Sequence, residues 1–226
     1  MRISICIPTY NRATHLSNCL QSIFLNKSRL AIDFEVCVSD NCSTDQTEEV
    51  VRRLEASIDI RYQKNAENLG IPANFLNVVA MARGEFVWLL GDDDLLMPNA
   101  LEKISLLIDC YPSVDFFYVN AYLLTAKYVQ SFPHPFDTAN LPKTLKPFSS
   151  WPKSSEMKFM DLIDPKISFD FLGGMYLAVF RRENWKKNVG VLDEAAVKDS
   201  RIFSHFDNTF PHLKIFSRAF ANSKAY

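Results

Sequence analysis

The sequence lacks a long apolar run, a paired cysteine motif and a strong net charge. No stretch approaches the roughly 20 apolar residues that a membrane-spanning helix needs. Residues 1–8 predict a strand rather than a signal peptide, because the polar Asn11, Arg12 and Thr14 soon follow. The five cysteines are odd in number and show no CxxC spacing, which argues against a disulfide framework and against a zinc ribbon. These absences favour a protein of the reducing cytoplasm.

An excess of one charge is also missing. Lys and Arg total 25 against 26 for Asp and Glu, so the net charge is −1. Such a chain has no general attraction to nucleic acid or to anionic lipid, and any phosphate-bearing ligand must be held by a local site. We therefore expect no nucleic-acid partner. With 226 residues, 48% of them hydrophobic, the chain suits one compact domain with a sizeable core.

The first half of the chain alternates apolar runs with helical patterns. Strands that alternate with helices predict parallel βαβ units covered on both faces, with ligands at the carboxyl ends of the strands. The runs predict strands at 3–8, 34–39, 58–62, 85–90 and 115–119, and the periodicity predicts helices at 16–24, 43–54, 73–81 and 98–108.

The second half is less regular. Prolines concentrate between residues 130 and 153, which predicts a long loop or lid. Beyond it the pattern predicts a helix at 155–163, an apolar strand containing 173–180, a helix at 182–187, and helical spacing from Phe203 to Phe220 that Pro211 interrupts. The sequence ends at Tyr226 without a capping signal, which leaves open a longer biological protein.

Three successive carboxylates, Asp92 to Asp94, follow the nearly all-apolar fourth strand. Like charges in such proximity need a compensating cation. Hard oxygen ligands at i and i+2 suit Mg²⁺ or Mn²⁺, which complete their coordination with water and diphosphate oxygens. The alternative is a solvated acidic turn that also caps the next helix. We favour the metal site, because ligands are expected at the end of a buried strand.

Polar turns also follow the first two strands. Asp40 comes after the second strand, where it can accept a hydrogen bond from the ring N–H of uracil, thymine or guanine. The alternative is a plain Asx turn or helix cap. Thr9 and Tyr10 come after the first strand and can offer backbone groups and an aromatic face to a base or ribose. Three polar turns at one edge of a sheet favour a site more than any one of them does.

These segments resemble a known family. The stretches 5–12 (ICIPTYNR), 38–45 (VSDNCSTD), 68–70 (NLG) and 84–94 (GEFVWLLGDDD) resemble, in order, the signature segments of family 2 glycosyltransferases. The resemblance covers roughly residues 1–120. It implies the GT-A fold: an α/β, Rossmann-like, mostly parallel sheet with helices on both faces and a smaller acceptor-side C-terminal part. It also implies a nucleotide-sugar donor-binding half, 1–120, and an acceptor-side half, 121–226, in one compact domain.

The resemblance assigns roles to the residues of the donor half. Thr9 and Tyr10 would line the nucleotide pocket, Asp40 would read the base, and Asn68 would belong to the donor-side loop, although an ordinary turn explains Asn68 equally well. The 92–94 run would be the DXD-type motif that binds ribose and metal.

Which of these three carboxylates binds the metal is left open by the resemblance, since many members carry Asp where this chain has Gly91. We favour Asp94 as the ligand of Mg²⁺ or Mn²⁺, with Asp92 second and Asp93 close behind. Asp92 and Asp93 are also the members of the run that we expect at the nucleotide.

The implied mechanism is a single displacement with inversion at the anomeric carbon. A metal neutralises the departing diphosphate, and a base removes the proton of the attacking hydroxyl. In the family this base is usually an Asp or Glu of the second half. The candidates here are Asp193 with its neighbour Glu194, Asp207, and the histidines His205 and His212. A surface or capping role explains each of them, taken alone, better than catalysis does. Asp193 is the one we favour.

The resemblance also implies partners: a donor linked to UDP, dTDP or GDP, and a glycan or lipid-linked acceptor in cell-surface polysaccharide synthesis. The predicted location is the cytoplasm or the inner face of the membrane, and the sequence leaves open peripheral membrane contact and homo-oligomer formation. Two alternatives stand. A sugar nucleotidyltransferase would carry a Gly-rich phosphate loop after the first strand, where residues 8–12 hold no glycine. A glycosyltransferase-like domain that binds nucleotide or glycan without turnover is the other.

Overall fold

The computed structural model describes residues 1–26, 32–125, 138, 141, 144–151, 153–164, 166–167, 173–199, 201 and 203–226. Much of the loop predicted at 130–153 lies outside these residues.

Strands and helices alternate through the first half, as the periodicity predicts. The strands are β1 (Ile3–Thr9), β2 (Phe34–Asp40), β3 (Ile60–Lys64), β4 (Phe86–Leu89), β5 (Phe116–Tyr118), β6 (Met157–Lys158), β7 (Ala178–Arg181) and β8 (Lys224–Ala225). The helices are α1 (Ala13–Leu25), α2 (Thr47–Glu55), α3 (Ile71–Met81), α4 (Ala100–Cys110), α5 (Arg182–Asn188), α6 (Glu194–Val197), α7 (Phe206–Thr209) and α8 (Pro211–Phe220).

The described strands form one eight-stranded sheet in the order β3-β2-β1-β4-β7-β5-β8-β6. Strands β3, β2, β1 and β4 are mutually parallel, and β8 is parallel to β5. Strand β7 runs antiparallel to both β4 and β5, and β6 antiparallel to β8. The sheet is therefore mostly parallel, which confirms the predicted fold class.

Two apolar cores cover the two faces of the sheet. Successive residues of β1 enter opposite cores, since Ile5 packs with α1 and α4 while Cys6 packs with α3 and α8. Such alternation follows from the period-2 geometry of a strand. Because both faces are covered, the strands read as continuous apolar runs, and polar side chains are left for the strand ends.

The carboxyl ends of three strands meet at one edge of the sheet. Thr9 lies opposite Asp40 in the β1–β2 pair, and Cys6 lies opposite Leu89 in the β1–β4 pair. The loops after β1, β2 and β4 therefore leave the sheet side by side, as the parallel arrangement predicts. Among the described residues, no helix is long and apolar enough to cross a membrane.

Two predictions for the second half are wrong. The helix predicted at 155–163 is strand β6 followed by a 3₁₀ turn at Phe159–Leu162, because Met157 pairs with Ala225 and the Phe159 ring packs 4.9 Å from that of Phe116. The strand predicted at 173–180 begins only at Ala178, after a 3₁₀ turn that brings Leu177 within 2.9 Å of where a Gly174 Cβ would stand.

The helical pattern of residues 203–220 is divided. Pro211 does not interrupt a helix; it opens α8, where a proline at the first position costs no hydrogen bond. The short helix α7 precedes it.

Candidate functional site

The three carboxylates lie in a turn that closes on itself directly after β4, which we call the acidic turn (Gly91–Asp94). The Gly91 N–H donates to Asp94 Oδ2 at 2.7 Å, and the Asp94 N–H donates to the Gly91 carbonyl at 3.1 Å. A Cβ at Gly91 would stand 3.0 Å from carboxylate oxygens of both Asp93 and Asp94. Glycine therefore leaves these two carboxylates room to fold back toward the backbone.

Asp92 ties the acidic turn to the end of β1. Its Oδ2 accepts a hydrogen bond from the Thr9 hydroxyl at 2.8 Å, and its Oδ1 lies 3.3 Å from Arg12 Nη1. The side chain is buried. Burial raises the pKa of Asp92 above its ordinary value, although the Thr9 hydrogen bond and the Arg12 charge work against that rise. Two predicted nucleotide-site residues, Thr9 and Asp92, thus touch each other.

Asp94 carries charge that the protein compensates poorly. Burial raises its pKa to about 7; the Gly91 hydrogen bond and the Arg12 charge lower it, while the Asp93 and Asp92 charges raise it further. A nearby cation would reverse that shift.

The acidic turn suits a cation that brings oxygen ligands of its own. In the described part of the chain, no group of three or more His, Cys, Asp or Glu side chains is arranged to hold a metal ion. Mg²⁺ and Mn²⁺ often use only one or two carboxylates and complete their coordination with water and substrate phosphate oxygens. Asp94, with its poorly compensated charge, and the adjacent Asp92 and Asp93 fit that donor set.

Asp40 is buried at the end of β2 with both oxygens engaged. Its Oδ1 accepts from the Ser43 N–H at 2.8 Å, and its Oδ2 accepts from the Tyr62 hydroxyl at 2.6 Å. Burial raises the pKa of Tyr62, and the hydrogen bond to Asp40 raises it further. The Ser43 bond matches the predicted turn alternative, while the base-reading role stays a prediction. Sequence reasoning missed Tyr62, which reaches Asp40 from the neighbouring strand β3.

Four asparagines, three of them buried and Asn68 exposed, fix the loop after β3, and we call them the asparagine network (Asn41, Asn65, Asn68, Asn74). Asn41 Nδ2 donates to Asn68 Oδ1 at 2.7 Å, and Asn65 Nδ2 donates to Asn41 Oδ1 at 3.1 Å and to Asn74 Oδ1 at 3.0 Å. Asn74 Nδ2 also donates to the Ser39 carbonyl at 2.9 Å. Asn68 is therefore fixed at the edge of the predicted donor site. Neither Asn65 nor Asn74 was predicted from the sequence. The one signal in the sequence was Asn74, a polar residue on the apolar face of α3.

The turn after β1 is fixed against the turn after β2. The Asn11 N–H donates to Ser43 Oγ at 2.8 Å, and the Thr44 N–H donates to Asn11 Oδ1 at 2.8 Å. Asn11 has a φ of 51°, in the left-handed region that asparagine tolerates. Tyr10 is 43% exposed beside this turn. Its ring is therefore accessible to a ligand at the strand ends.

A cavity of about 300 Å³, which we call the cleft, joins the acidic turn to the second half of the chain. His212, at the start of α8, lines it opposite the acidic turn, and its ring lies 5.8 Å from that of Phe75. The remaining lining includes Pro8, Gly91, Asp93, Asp94, Pro72, Met175, Tyr176, Asn208 and Thr209.

Two other candidate bases, Asp193 and Asp207, lie at the starts of the short helices α6 and α7. Asp193 caps α6, where its Oδ1 accepts from the Ala195 N–H at 2.9 Å. Asp207 is buried, and its Oδ2 accepts from the Asp193 N–H at 2.8 Å and from Lys214 Nζ at 2.7 Å. Burial alone would raise the pKa of Asp207, but these two bonds outweigh it and lower the pKa. Of these three candidates, His212 lines the cleft together with Asp94.

A second cavity, of about 570 Å³, also begins at the acidic turn, and we call it the apolar cavity. Arg12, Asp93 and Asp94 lie at its polar end. Its walls include Trp88, Leu90, Met97, Tyr122, Phe148 and Tyr176. Two cavities therefore meet at Asp93 and Asp94.

Two tryptophans of the second half have different surroundings. Trp185 is buried and stacks 5.0 Å from the Phe180 ring, as core packing predicts. Trp151 is 42% exposed.

Comparison with known proteins identifies the family. Residues 4–169 match the model of glycosyl transferase family 2. The chain belongs to this family. Its curated relatives include the abequosyltransferase RfbV of Salmonella typhimurium, 42% identical over 111 residues, which make up 48% of this chain and 33% of that protein. A poly(ribitol-phosphate) β-N-acetylglucosaminyltransferase, TarS of Staphylococcus aureus, is 32% identical over 110 residues, or 48% of this chain and 19% of that protein.

Solved structures agree on the fold. The structure of TarS residues 1–349 in complex with UDP matches this protein with a TM-score of 0.71 at 19% identity. The match covers 100% of this chain and 58% of the TarS chain. The same fragment with UDP-GlcNAc matches with a TM-score of 0.63 at 21% identity, over 83% and 47% of the two chains. The fold is therefore GT-A, as predicted. The matches span about a third or less of these two curated relatives.

Proposed function

We propose that this protein transfers a sugar from a nucleotide diphosphate donor to an acceptor hydroxyl, with inversion at the anomeric carbon. The observation that carries the proposal is the meeting of three polar strand ends at the acidic turn, where two cavities also meet. Family membership and relatives that carry the names of sugar transferases support the same reaction. We infer a role in the synthesis of a cell-surface polysaccharide or a lipid-linked glycan.

The donor nucleotide lies at the ends of β1 and β2 in this proposal. Tyr10 offers an exposed ring to the base or ribose, and Asn68 borders the same edge. Asp40 accepts the ring N–H of uracil, thymine or guanine, so the donor carries UDP, dTDP or GDP. Each Asp40 oxygen already accepts one hydrogen bond. The base would therefore have to donate to the second lone pair of one of these oxygens. Thr9 and Asp92 form the floor between base and diphosphate.

Metal dependence is part of the proposal. Asp94 is the first candidate for Mg²⁺ or Mn²⁺, because burial leaves its charge poorly compensated, and Asp92 and Asp93 are close behind. A bound cation would neutralise the charge that develops on the departing diphosphate.

We propose His212 as the base that accepts the acceptor's proton. It lines the cleft together with Asp94, and the cleft lining includes neither Asp193 nor Asp207. An imidazole nitrogen within reach of the hydroxyl can accept its proton as the hydroxyl attacks. Asp207 and then Asp193 follow as candidates.

The alternative is a domain of the same fold that binds a nucleotide or glycan without turnover. The engagement of Asp193 and Asp207 with backbone and lysine favours it. Such a domain would bind nucleotide diphosphate but release none from a donor sugar. A sugar nucleotidyltransferase would instead consume a nucleoside triphosphate.

We expect the protein to act in the cytoplasm or at the inner face of the membrane. Peripheral contact with the membrane and association into homo-oligomers stay predictions.

The experiment uses radiolabelled UDP-, dTDP- and GDP-linked sugars with Mn²⁺ and a membrane extract. Release of one nucleotide diphosphate, with label entering a lipid or glycan fraction, would support the proposed reaction. Binding of a nucleotide without release or transfer would favour the non-catalytic alternative. Absence of label from every lipid and glycan fraction would count against the polysaccharide role.

A further inference from the structure

Arg12 supplies a positive charge to the acidic turn. Its Nη2 lies 2.6 Å from Asp93 Oδ2, and its Nη1 lies 3.3 Å from Asp92 Oδ1. One guanidinium thus contacts two of the three adjacent carboxylates. Arg12 follows β1, and the carboxylates follow the neighbouring strand β4. Sequence reasoning placed Arg12 within the first signature segment and gave it no role.

The Arg12 side chain can move although its backbone is fixed. The Arg12 carbonyl accepts from the Leu16 N–H at 3.0 Å, which anchors the residue at the start of α1. The side chain, in contrast, is 42% exposed and borders the apolar cavity. The pair with the exposed Asp93 contributes little to stability. Asp92 is buried, so the guanidinium can leave it at low cost only when another cation takes its place.

A divalent ion that used Asp92 or Asp93 beside Asp94 would compete with the guanidinium for the same oxygens. An ion held by Asp94 alone would still feel the Arg12 charge, which acts on Asp94. An ion bound by Asp92 or Asp93 would stand close to the place that the guanidinium occupies, and two cations a few ångströms apart repel each other. Binding of the ion therefore drives the guanidinium off. The planar fork of a freed arginine matches diphosphate oxygens, which it can bind in a bidentate manner.

We propose that Arg12 exchanges partners when the donor binds. It holds Asp92 and Asp93 in the free protein, and it moves to the donor diphosphate once a divalent ion has taken its place on the acidic turn. The exchange with the ion stands without the proposed function, whereas the move to the diphosphate rests on it. Arg12 is thus a positioning residue for the carboxylates and a binding residue for the donor.

The first test is calorimetric titration with Mn²⁺ alone. Arg12→Met removes the charge and keeps much of the length, while Arg12→Lys keeps a charge without the fork. The matched control is Arg52→Met, since Arg52 is exposed on α2 and pairs with Glu48, four residues earlier in the chain. We expect Arg12→Met to bind Mn²⁺ about tenfold more tightly than wild type, as loss of one charge-assisted competitor predicts. Arg52→Met should match wild type.

The second test adds UDP, GDP, dTDP or CDP in the presence of Mn²⁺. We expect Arg12→Met to bind the nucleotide that wild type prefers at least about tenfold more weakly, with Arg12→Lys in between. Opposite effects of one substitution on ion and nucleotide are the signature of an exchange, and a merely structural role would weaken both together.

Several results would overturn the inference. Equal or weaker Mn²⁺ binding by Arg12→Met would exclude the exchange with the ion. Unchanged nucleotide binding by Arg12→Met, where wild type binds, would exclude the move to the diphosphate and leave the proposed function standing. If wild type binds no nucleotide, the proposed function fails, and the titration with Mn²⁺ alone still decides the exchange. Arg12→Lys keeps both tests informative should Arg12→Met fold poorly.

Discussion

The Thr9 hydroxyl donates a hydrogen bond to Asp92 Oδ2 at 2.8 Å, which joins the end of β1 to the turn after β4. Both side chains are buried, so water cannot replace either partner. The bond therefore fixes Asp92, the first carboxylate of the acidic turn, to β1, whose apolar residues form part of the core. It links the fold directly to the candidate site.

Thr9→Val should break this link without changing the size of the side chain. We expect the free energy of unfolding to fall by about 1–3 kcal/mol, since a buried carboxylate oxygen loses its donor. Thr14→Val is the control, because Thr14 is exposed on α1. Urea unfolding followed by circular dichroism measures both variants. Equal stability of Thr9→Val and Thr14→Val would show that the bond contributes nothing.

The ionisation of Glu35 makes the free energy of unfolding depend on pH. It is fully buried on β2 and accepts from Ser4 Oγ at 2.6 Å, from the Arg83 N–H at 2.7 Å and from Arg83 Nε at 2.8 Å. Burial would raise the pKa of Glu35, but these hydrogen bonds and the Arg83 charge outweigh it and lower the pKa. The ionised carboxylate is therefore the form that stabilises the fold.

Glu35→Gln should lower the unfolding temperature at neutral pH. The unfolded-state pKa of Glu is about 4.3, so the stabilisation is complete above that pH and is lost as the pH falls through the lower folded-state pKa. The gap between wild type and Glu35→Gln should thus shrink in acid. Thermal unfolding from about pH 7 down to about pH 3 measures the gap. Glu48→Gln, which removes an exposed pair with Arg52, should show almost none. A gap that widens in acid would contradict the account.

The base assignment predicts different phenotypes for the candidates. His212→Gln should lower kcat by about 10²–10⁴-fold and leave nucleotide affinity unchanged, because only proton transfer is lost. Asp207→Asn should first lower stability, since Asp207 accepts from both the Asp193 N–H and Lys214. Steady-state kinetics together with thermal unfolding separates the two effects. A folded but inactive Asp207→Asn beside an active His212→Gln would move the role to Asp207.

The sequence predicts the sheet edge well because its signals are local. An apolar run that ends in Asp92 to Asp94, or in Asp40, marks both a strand and the place where it stops. The pairs that fix those carboxylates depend on register, which local patterns do not contain. Tyr62 reaches Asp40 because β3 places it opposite Val38, next but one along β2.

The second half was predicted less well because its elements are short. Strands β6 and β8 have two residues each, too few to show alternation, and they form through pairing of Met157 with Ala225. The helical spacing at 155–163 reflects residues that bury one apolar face, Phe159 among them, in a 3₁₀ turn instead. Tertiary contacts decide such segments.

Metal-dependent binding of a nucleotide diphosphate at the acidic turn is the central claim. Its most direct test is calorimetric titration of UDP, GDP, dTDP and CDP, with and without Mn²⁺, on wild type and on Asp94→Asn, which keeps the shape of the side chain and removes its charge. We predict that wild type binds one of the four with Mn²⁺ and that Asp94→Asn loses this metal-dependent binding. Binding of none by wild type, or equal binding by Asp94→Asn, would contradict the claim.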